Sequence, residues 1–192
     1  HPSDALAALI AVAETDGRTL GDLILAAVAS YQVQVMLADQ VPFNKAGYDQ
    51  PVGGALAVGI GVAHLMGLDA ETFGRGITMI AVSQVPLHET RIGMVSSWKS
   101  VAAPLAASNA ITCMLLAQRG FSGPGAAFDG VNGLWAQTVG SNPEISLAEQ
   151  AWCAGRTSLK RWPVRDSCQI GVLAALDVHA QVSESKRIAK IE

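Results

Sequence analysis

The chain has 192 residues, of which 50% are hydrophobic and 15% are charged, and its formal net charge is −3. This length and apolar content suit one domain, or a large part of one, with a core of its own. The mildly acidic balance, with no Lys/Arg cluster before the last residues, argues against a nucleic-acid-binding protein.

Helical periodicity runs along almost the whole chain. The first predicted helix covers residues 4–13, and the turn at 16–17 ends it. Thr19 and Asp22 have the spacing of a capping box for a second helix, which reaches about residue 38 and carries one apolar stripe. The stripe comprises Leu20, Leu23, Ile24, Ala27, Val28 and Tyr31.

Residues 52–67, "VGGALAVGIGVAHLMG", form the most apolar segment. The segment is shorter than the roughly 20 apolar residues that a membrane span needs, and it contains His64. It therefore predicts a buried helix, whose glycines let neighbouring backbones come close, and no membrane association. The glycines match neither a phosphate-binding loop nor a dinucleotide fingerprint.

The second half of the chain is also predicted to be helical. Asp69 caps a helix that continues to residue 82, and a long irregular connection of the kind that often carries function follows. A helix then begins at Lys99, Ser146 starts a short capped helix with Glu149, and a last helix covers residues 167–182. Because no stretch shows sustained alternation, the predicted fold class is all-α.

The metal-binding motifs HExxH and CxxC and the nucleophile motif GxSxG are absent, and nothing in the sequence requires a metal or a nucleotide, so neither a metal nor another cofactor is expected. The cysteines are Cys113, Cys153 and Cys168, an odd number without short spacing. They predict buried, reduced thiols and a reducing compartment. Since no signal peptide is visible, we expect a cytoplasmic protein.

Two lysines stand close to tryptophans, in Trp98-Lys99 and in the stretch "LKRWPVRD", which contains Lys160. A neighbouring indole suggests that each lysine is shielded from solvent. A shielded ammonium group would bind a carboxylate or transfer a proton. The alternative is a lysine whose stem lies over the indole and whose ammonium is in water. Among the histidines, His64 is expected in the core, and His88 and His179 at the surface.

Four blocks in order carry a resemblance to a known family. They are "HPSD" at the start, "GYDQPVGGALAVGIGVAHLMGLD" at 47–69, "WKSVAAPLAASNAITCMLLAQRGFSGPGAAFDGVNGLW" at 98–135 and "LKRWPVRDSCQIGVLAAL" at 159–176. Together they resemble the MmgE/PrpD family, which contains 2-methylcitrate dehydratases, cis-aconitate decarboxylases and iminodisuccinate epimerases. The resemblance implies that residues 1–192 are most of the helical domain of a dimeric two-domain enzyme. The start of that domain and the α/β domain would then be absent.

The resemblance also implies a substrate class and a set of site residues. The substrate would be a small di- or tricarboxylate, and the most frequent activity in the family is dehydration by a hydro-lyase. The matched catalytic residues are His1, Lys99 and Lys160. The matched substrate-binding residues are Asp49, Gln50 and Arg165.

This sequence departs from the family pattern in three places. Many relatives have a histidine in the loop at 49–50, dehydratases often have His-Ser-Gln at 167–169, and the decarboxylases have a histidine at Arg165. The lost imidazoles remove candidate acids and bases, so decarboxylase and epimerase activity stay open. A helical binding or scaffold module without catalysis is the third alternative.

Overall fold

A computed structural model of the chain describes residues 1–146, 152–179 and 181–182. The chain divides into two compact units, residues 1–156 and residues 157–192. No strand occurs in the described ranges, where one isolated bridge joins Tyr48 to Leu87. The all-α prediction is confirmed.

Among its described residues, the first unit contains six α-helices and short 3₁₀ turns at Pro2–Ala5, Phe43–Ala46, His88–Arg91, Ser97–Ser100 and Cys153–Arg156. The α-helices are α1 (Leu6–Thr15), α2 (Leu20–Gln40), α3 (Pro51–Met66), α4 (Ala70–Ser83), α5 (Ala102–Gln118) and α6 (Leu134–Thr138). The second unit contains a 3₁₀ turn at Asp166–Cys168 and α7 (Gln169–His179).

Helix α3 is the buried centre of the first unit, as the apolar segment at 52–67 predicts. It packs against α1, α2, α4 and α5, and small residues allow this close approach. The side chain of Met114 on α5 fills the space beside two glycines, Gly59 on α3 and Gly76 on α4. A methyl group at Gly76 would collide with the Met114 sulfur, and one at Gly59 would collide with Ile80 and crowd the Met114 methyl group.

The predicted helix caps at Thr19 and Asp69 are confirmed. Thr19 Oγ1 accepts from the backbone N–H of Asp22, and the Asp22 carboxylate accepts from Thr19 N at 2.9 Å. Asp69 Oδ1 accepts from Thr72 N at 2.7 Å. Both carboxyl groups have a pKa below the usual value, Asp22 mainly through the Thr19 side chain and Asp69 mainly through the Thr72 backbone.

The apolar stripe predicted on α2 coincides only in part with the face that this helix buries. Leu20, Ile24 and Val28 are exposed, whereas Leu23 and Ala27 are partly buried against the core. The buried face instead carries small and polar residues alongside apolar ones, namely Ala26, Ser30, Gln34, Met36 and Leu37. The reason is the neighbouring helix: small residues of α3 leave room for Ser30, whose hydroxyl donates to Ala57 O at 2.8 Å.

Helix α2 has 21 residues, and its most apolar 18-residue window has a mean hydropathy of 1.5. By length and composition alone it could therefore cross a membrane, and 28% of that window is buried in the structure. Buried helices of globular proteins meet the same criteria, so this is weak evidence for a membrane span.

The C-terminal helix predicted at 167–182 is shorter in the structure, where α7 begins at Gln169 and ends at His179. The capping partner proposed for Ser146, Glu149, lies outside the described residues. The expectation of buried thiols holds for Cys113 and is wrong for Cys168, which is exposed. Cys168 ends a 3₁₀ turn whose residues are all exposed.

Candidate functional site

A cavity of about 570 Å³ opens between the C-terminal end of α2, the loop that follows it and the first turn of α3. Its size is within the range of pockets that hold small metabolites. Its lining includes His1 and Gln50, two of the site residues predicted from the sequence, together with Gln34, Asn44 and Lys45. The cavity therefore combines an imidazole, an ammonium group, amides and the Asp39 carboxylate on an otherwise largely apolar surface.

The α2 end of this cavity is held in place by contacts with later parts of the chain. The Gln40 side chain donates to Ser146 O at 3.2 Å and accepts from Ser146 N at 2.8 Å. The neighbouring Asp39 carboxylate accepts from Arg156. These bonds fix the last turn of α2.

His1 lines the cavity and immediately precedes the first 3₁₀ turn. Its side chain is half exposed, and its Nδ1 atom is 3.8 Å from Asp4 Oδ2. The half-exposed ring remains accessible to a ligand.

Gln50 lies at the junction of two cavities. It precedes Pro51 at the start of α3, and its Oε1 atom is buried without a hydrogen-bond partner in the described ranges. Together with Gln34, it also lines a second, smaller cavity against Ala103 and Ala106 of α5. Gln50 thus connects the larger cavity with the helix that begins next to Lys99.

Lys45 is a candidate site residue that the sequence reasoning missed. It lies on the 3₁₀ turn Phe43–Ala46, lines the larger cavity, and forms no ion pair within the described part of the chain. A cation in the polar loop between two apolar helices was the available signal, because such loops often carry binding residues.

Asp49 lies deeper than a substrate-contacting residue would need to be. Its side chain is 0% exposed, and neither of the two cavities has it in its lining. Oδ1 accepts from Arg91 Nε at 2.6 Å and from the backbone N–H of Gln50 at 2.8 Å. Asp49 therefore joins two segments of the chain.

One histidine prediction is wrong, and another holds only in part. His88 was expected at the surface, but its side chain is 31% exposed and its Nδ1 atom lies 4.0 Å from Asp49 Oδ1. The bridge between Tyr48 and Leu87 draws it inward. His64 was expected in the core but is exposed, because the last turn of α3 reaches the protein surface near Asp22.

Lys99 lies on the 3₁₀ turn Ser97–Ser100, and its side chain is exposed. The neighbouring Trp98 is 52% exposed, so the indole does not enclose the lysine as the sequence suggested. All residues from Ile92 to Val101 are exposed. Lys99 does not line the larger cavity.

Lys160 and Arg165 belong to the second unit, where both are exposed. The loop that carries them is ordered by Gln169 at the start of α7. Gln169 Oε1 accepts from the backbone N–H groups of Arg161 and Trp162, and Nε2 donates to Trp162 O at 2.9 Å. The Arg161 guanidinium lies 5.1 Å from the centre of the Trp162 ring.

No group of three or more His, Cys, Asp or Glu side chains converges on a common point in the described ranges. The expectation that the protein uses neither a metal nor another cofactor stays a prediction.

The fold and the cavity define a helical domain with a metabolite-sized site between its second and third helices. A family model described as the MmgE/PrpD N-terminal domain matches residues 1–146. The chain belongs to the MmgE/PrpD family, and members of this family are generally enzymes of the lyase type. The family identified from the sequence blocks is thereby confirmed.

Proposed function

We propose that the protein is a lyase that acts on a small di- or tricarboxylate, with 2-methylcitrate dehydratase-like dehydration as its reaction. The observation that supports this most directly is the cavity that His1 shares with Gln50 and Lys45 in a chain of the MmgE/PrpD family. An imidazole can transfer a proton near neutral pH, and an ammonium group can bind a carboxylate.

The reaction needs a base, an acid and positive charge. A base removes a proton from the carbon next to a carboxylate, a double bond forms, and the hydroxyl group leaves with a proton as water. Negative charge accumulates on the carboxylate as the proton leaves, and a preorganised cation stabilises it. We assign proton transfer to His1, and carboxylate binding to Lys99, Lys160 and Arg165.

The substrate carries two or three negative charges, so one cation is not enough to neutralise it in a partly dry cavity. Lys45 adds a positive charge at the wall of the cavity itself. Gln50 belongs to the loop at 49–50, in which many relatives have a histidine. Its buried Oε1, which has no partner among the residues described, can accept a hydrogen bond from a substrate hydroxyl group.

The amide of Gln50 also favours the rival functions, because an amide cannot replace an imidazole as acid or base. A decarboxylase or epimerase of the same family would begin from the same bound carboxylate, and product analysis by NMR separates the three reactions. A non-catalytic scaffold would show neither turnover nor saturable binding of citrate-like acids in a calorimetric titration.

The assembly and the location of the enzyme are part of the same proposal. We propose a cytoplasmic homodimer that binds neither nucleic acid nor membrane and needs no cofactor. Exposed apolar side chains near Lys99, such as Met94 at 97% and Trp98 at 52%, provide a surface that an additional part of the enzyme would cover.

The deciding experiment is Lys99→Met in the full-length natural protein, assayed with 2-methylcitrate and citrate. Loss of a preorganised cation should lower kcat by about 100-fold or more. Arg119→Met is the matched control, because it removes an exposed cation at the other end of α5. Near-normal turnover of the Lys99 variant would refute the assigned role. Lys45→Met should mainly raise KM, since Lys45 contacts the ground-state carboxylate.

A further inference from the structure

The buried carboxylate of Asp49 is the centre of a polar cluster beside the candidate site. Its Oδ1 atom accepts from Arg91 Nε at 2.6 Å and from Gln50 N at 2.8 Å, and His88 Nδ1 lies 4.0 Å away. Asp49 Oδ2 and His88 Nδ1 have no hydrogen-bond partner among the residues described. The Asp49 side chain is 0% exposed, and burial of a carboxylate without a counter-ion is costly. The Arg91 guanidinium provides this counter-ion.

Backbone hydrogen bonds connect the same two segments. Asp49 N donates to Pro86 O at 2.8 Å, and His88 N donates to Gly47 O at 2.9 Å. They flank the antiparallel bridge between Tyr48 and Leu87. The loop that carries Gln50 and the segment that leads towards Lys99 are therefore joined at this point by main-chain and side-chain bonds.

Arg91 is the last residue with a partly buried side chain before a long exposed stretch. Its side chain is 21% exposed, whereas all residues at 92–101 are exposed, and the chain becomes buried again at Ala102. The stretch that contains Lys99 is thus fixed at two ends, by the Arg91–Asp49 pair and by the start of α5. Loss of one end would leave Lys99 on a longer, looser loop.

We propose that Asp49 is a positioning residue, which acts through Arg91 to hold the Lys99 segment at a fixed place relative to Gln50. This assignment rests on the proposed function and refines the role of Asp49 in it. Asp49 does not line the cavities, and its Oδ1 is already occupied, so it orients the groups that bind the substrate. Displacement of a catalytic group by about 1 Å can lower a rate by about 100-fold.

The test uses Asp49→Asn in the full-length natural protein, which keeps the size of the side chain and removes its charge. We expect kcat to fall by about 10- to 100-fold. Amide hydrogen exchange should become faster at 92–101 and stay unchanged in α3. Arg91→Lys, which keeps the charge, should retain most of the activity that Arg91→Gln loses.

Glu71→Gln is the matched control, because it also removes a carboxylate from an ion pair with an arginine. Glu71 Oε1 lies 2.7 Å from Arg75 Nη1 on α4, and the Glu71 side chain is 84% exposed. This variant should keep kcat within about twofold, as expected for exposed ion pairs. A general loss of stability would accelerate exchange in α3 as well and would contradict a local positioning role.

The outcomes separate this inference from the proposed function. Wild-type kcat in Asp49→Asn, alongside an inactive Lys99→Met, would overturn the positioning role and leave the lyase proposal intact. If Lys99→Met is active, the role of Lys99 as the carboxylate-binding cation in the lyase proposal is refuted. Separately, unchanged amide exchange at 92–101 in Asp49→Asn would refute the claim that Asp49 holds this segment in place. Should Asp49→Asn not fold, the two Arg91 variants provide the same readouts.

Discussion

Replacement of Gly61 by alanine tests whether close contact between α2 and α3 determines the stability of the first unit. A Cβ atom built on Gly61 would lie 2.7 Å from Leu9 Cδ2 and 3.0 Å from the carbonyl oxygen of Ala26, and it would overlap Ser30 Oγ. Real Cβ atoms essentially never come within 3.0 Å of a heavy atom from a distant part of the chain. The backbone oxygen cannot move without a shift of α2.

The size of the effect follows from opposing contributions. Alanine in a helix interior is favoured over glycine by about 0.8–1 kcal/mol. Overpacking of a filled core costs about 1–3 kcal/mol. Displacement of Ser30 Oγ also breaks its hydrogen bond to Ala57 O, which adds about 1 kcal/mol. The sum predicts that Gly61→Ala lowers the free energy of unfolding by about 1–3 kcal/mol.

Gly74→Ala is the matched control, because Gly74 is also inside a helix but has no atom within 4 Å of its ideal Cβ position. This variant should raise the free energy of unfolding by up to about 1 kcal/mol. Urea denaturation followed by far-UV circular dichroism measures both changes. If Gly61→Ala were as stable as Gly74→Ala, the proposed tight contact between α2 and α3 would be refuted.

Two further predictions concern local chemistry. Thr19→Ala removes the cap of α2 and should cost about 1 kcal/mol of stability in urea denaturation. Hydrogen bonds from Thr19 lower the pKa of the Asp22 carboxyl group in the folded state. Their stabilisation is therefore present above the pKa of Asp22 in the unfolded chain and disappears as pH falls through its pKa in the folded protein. An equal effect of Thr19→Ala at neutral and strongly acidic pH would contradict this. Burial raises the pKa of the Cys113 thiol, whereas Cys168 is exposed. Iodoacetamide should therefore modify Cys168 well before Cys113 in the native protein, and peptide mass spectrometry measures the two rates. Equal rates would contradict the burial of Cys113.

Local signals in the sequence predicted the helix starts well. Thr19 with Asp22, and Asp69 with Thr72, form the caps expected from their spacing, since a cap depends only on residues within one turn. The apolar run at 52–67 was equally reliable, because a helix without a polar face has to be buried on all sides.

The orientation of α2 could be predicted only in part from its own residues. Apolar side chains surround its N-terminal half, so several faces are equally suited to burial. The small residues of α3 determine which face of α2 is buried, because they accommodate Ser30 and Gln34. These α3 residues lie about 25 positions later in the chain. Hydrophobic periodicity counts apolar side chains and does not register a fit between small ones.

The candidate site was predictable in part. Family blocks gave His1 and Gln50, which do share a cavity, but Lys45 belongs to none of the residues that the resemblance singled out. His88 and Arg91 were missed as partners of Asp49 because about 40 residues separate them in the chain. Such long-range pairs follow from the path of the backbone, which a single sequence does not reveal.

The double hydrogen bond between Gln40 and Ser146 has a consequence for biosynthesis. Helices α1 to α3 can pair as soon as the first part of the chain has left the ribosome, but the polar groups at the end of α2 wait for a partner 106 residues downstream. Since N-terminal segments form first during translation, the candidate cavity is completed late. A nascent chain that stalls before Ser146 would carry a folded helical nucleus with an unfinished binding wall.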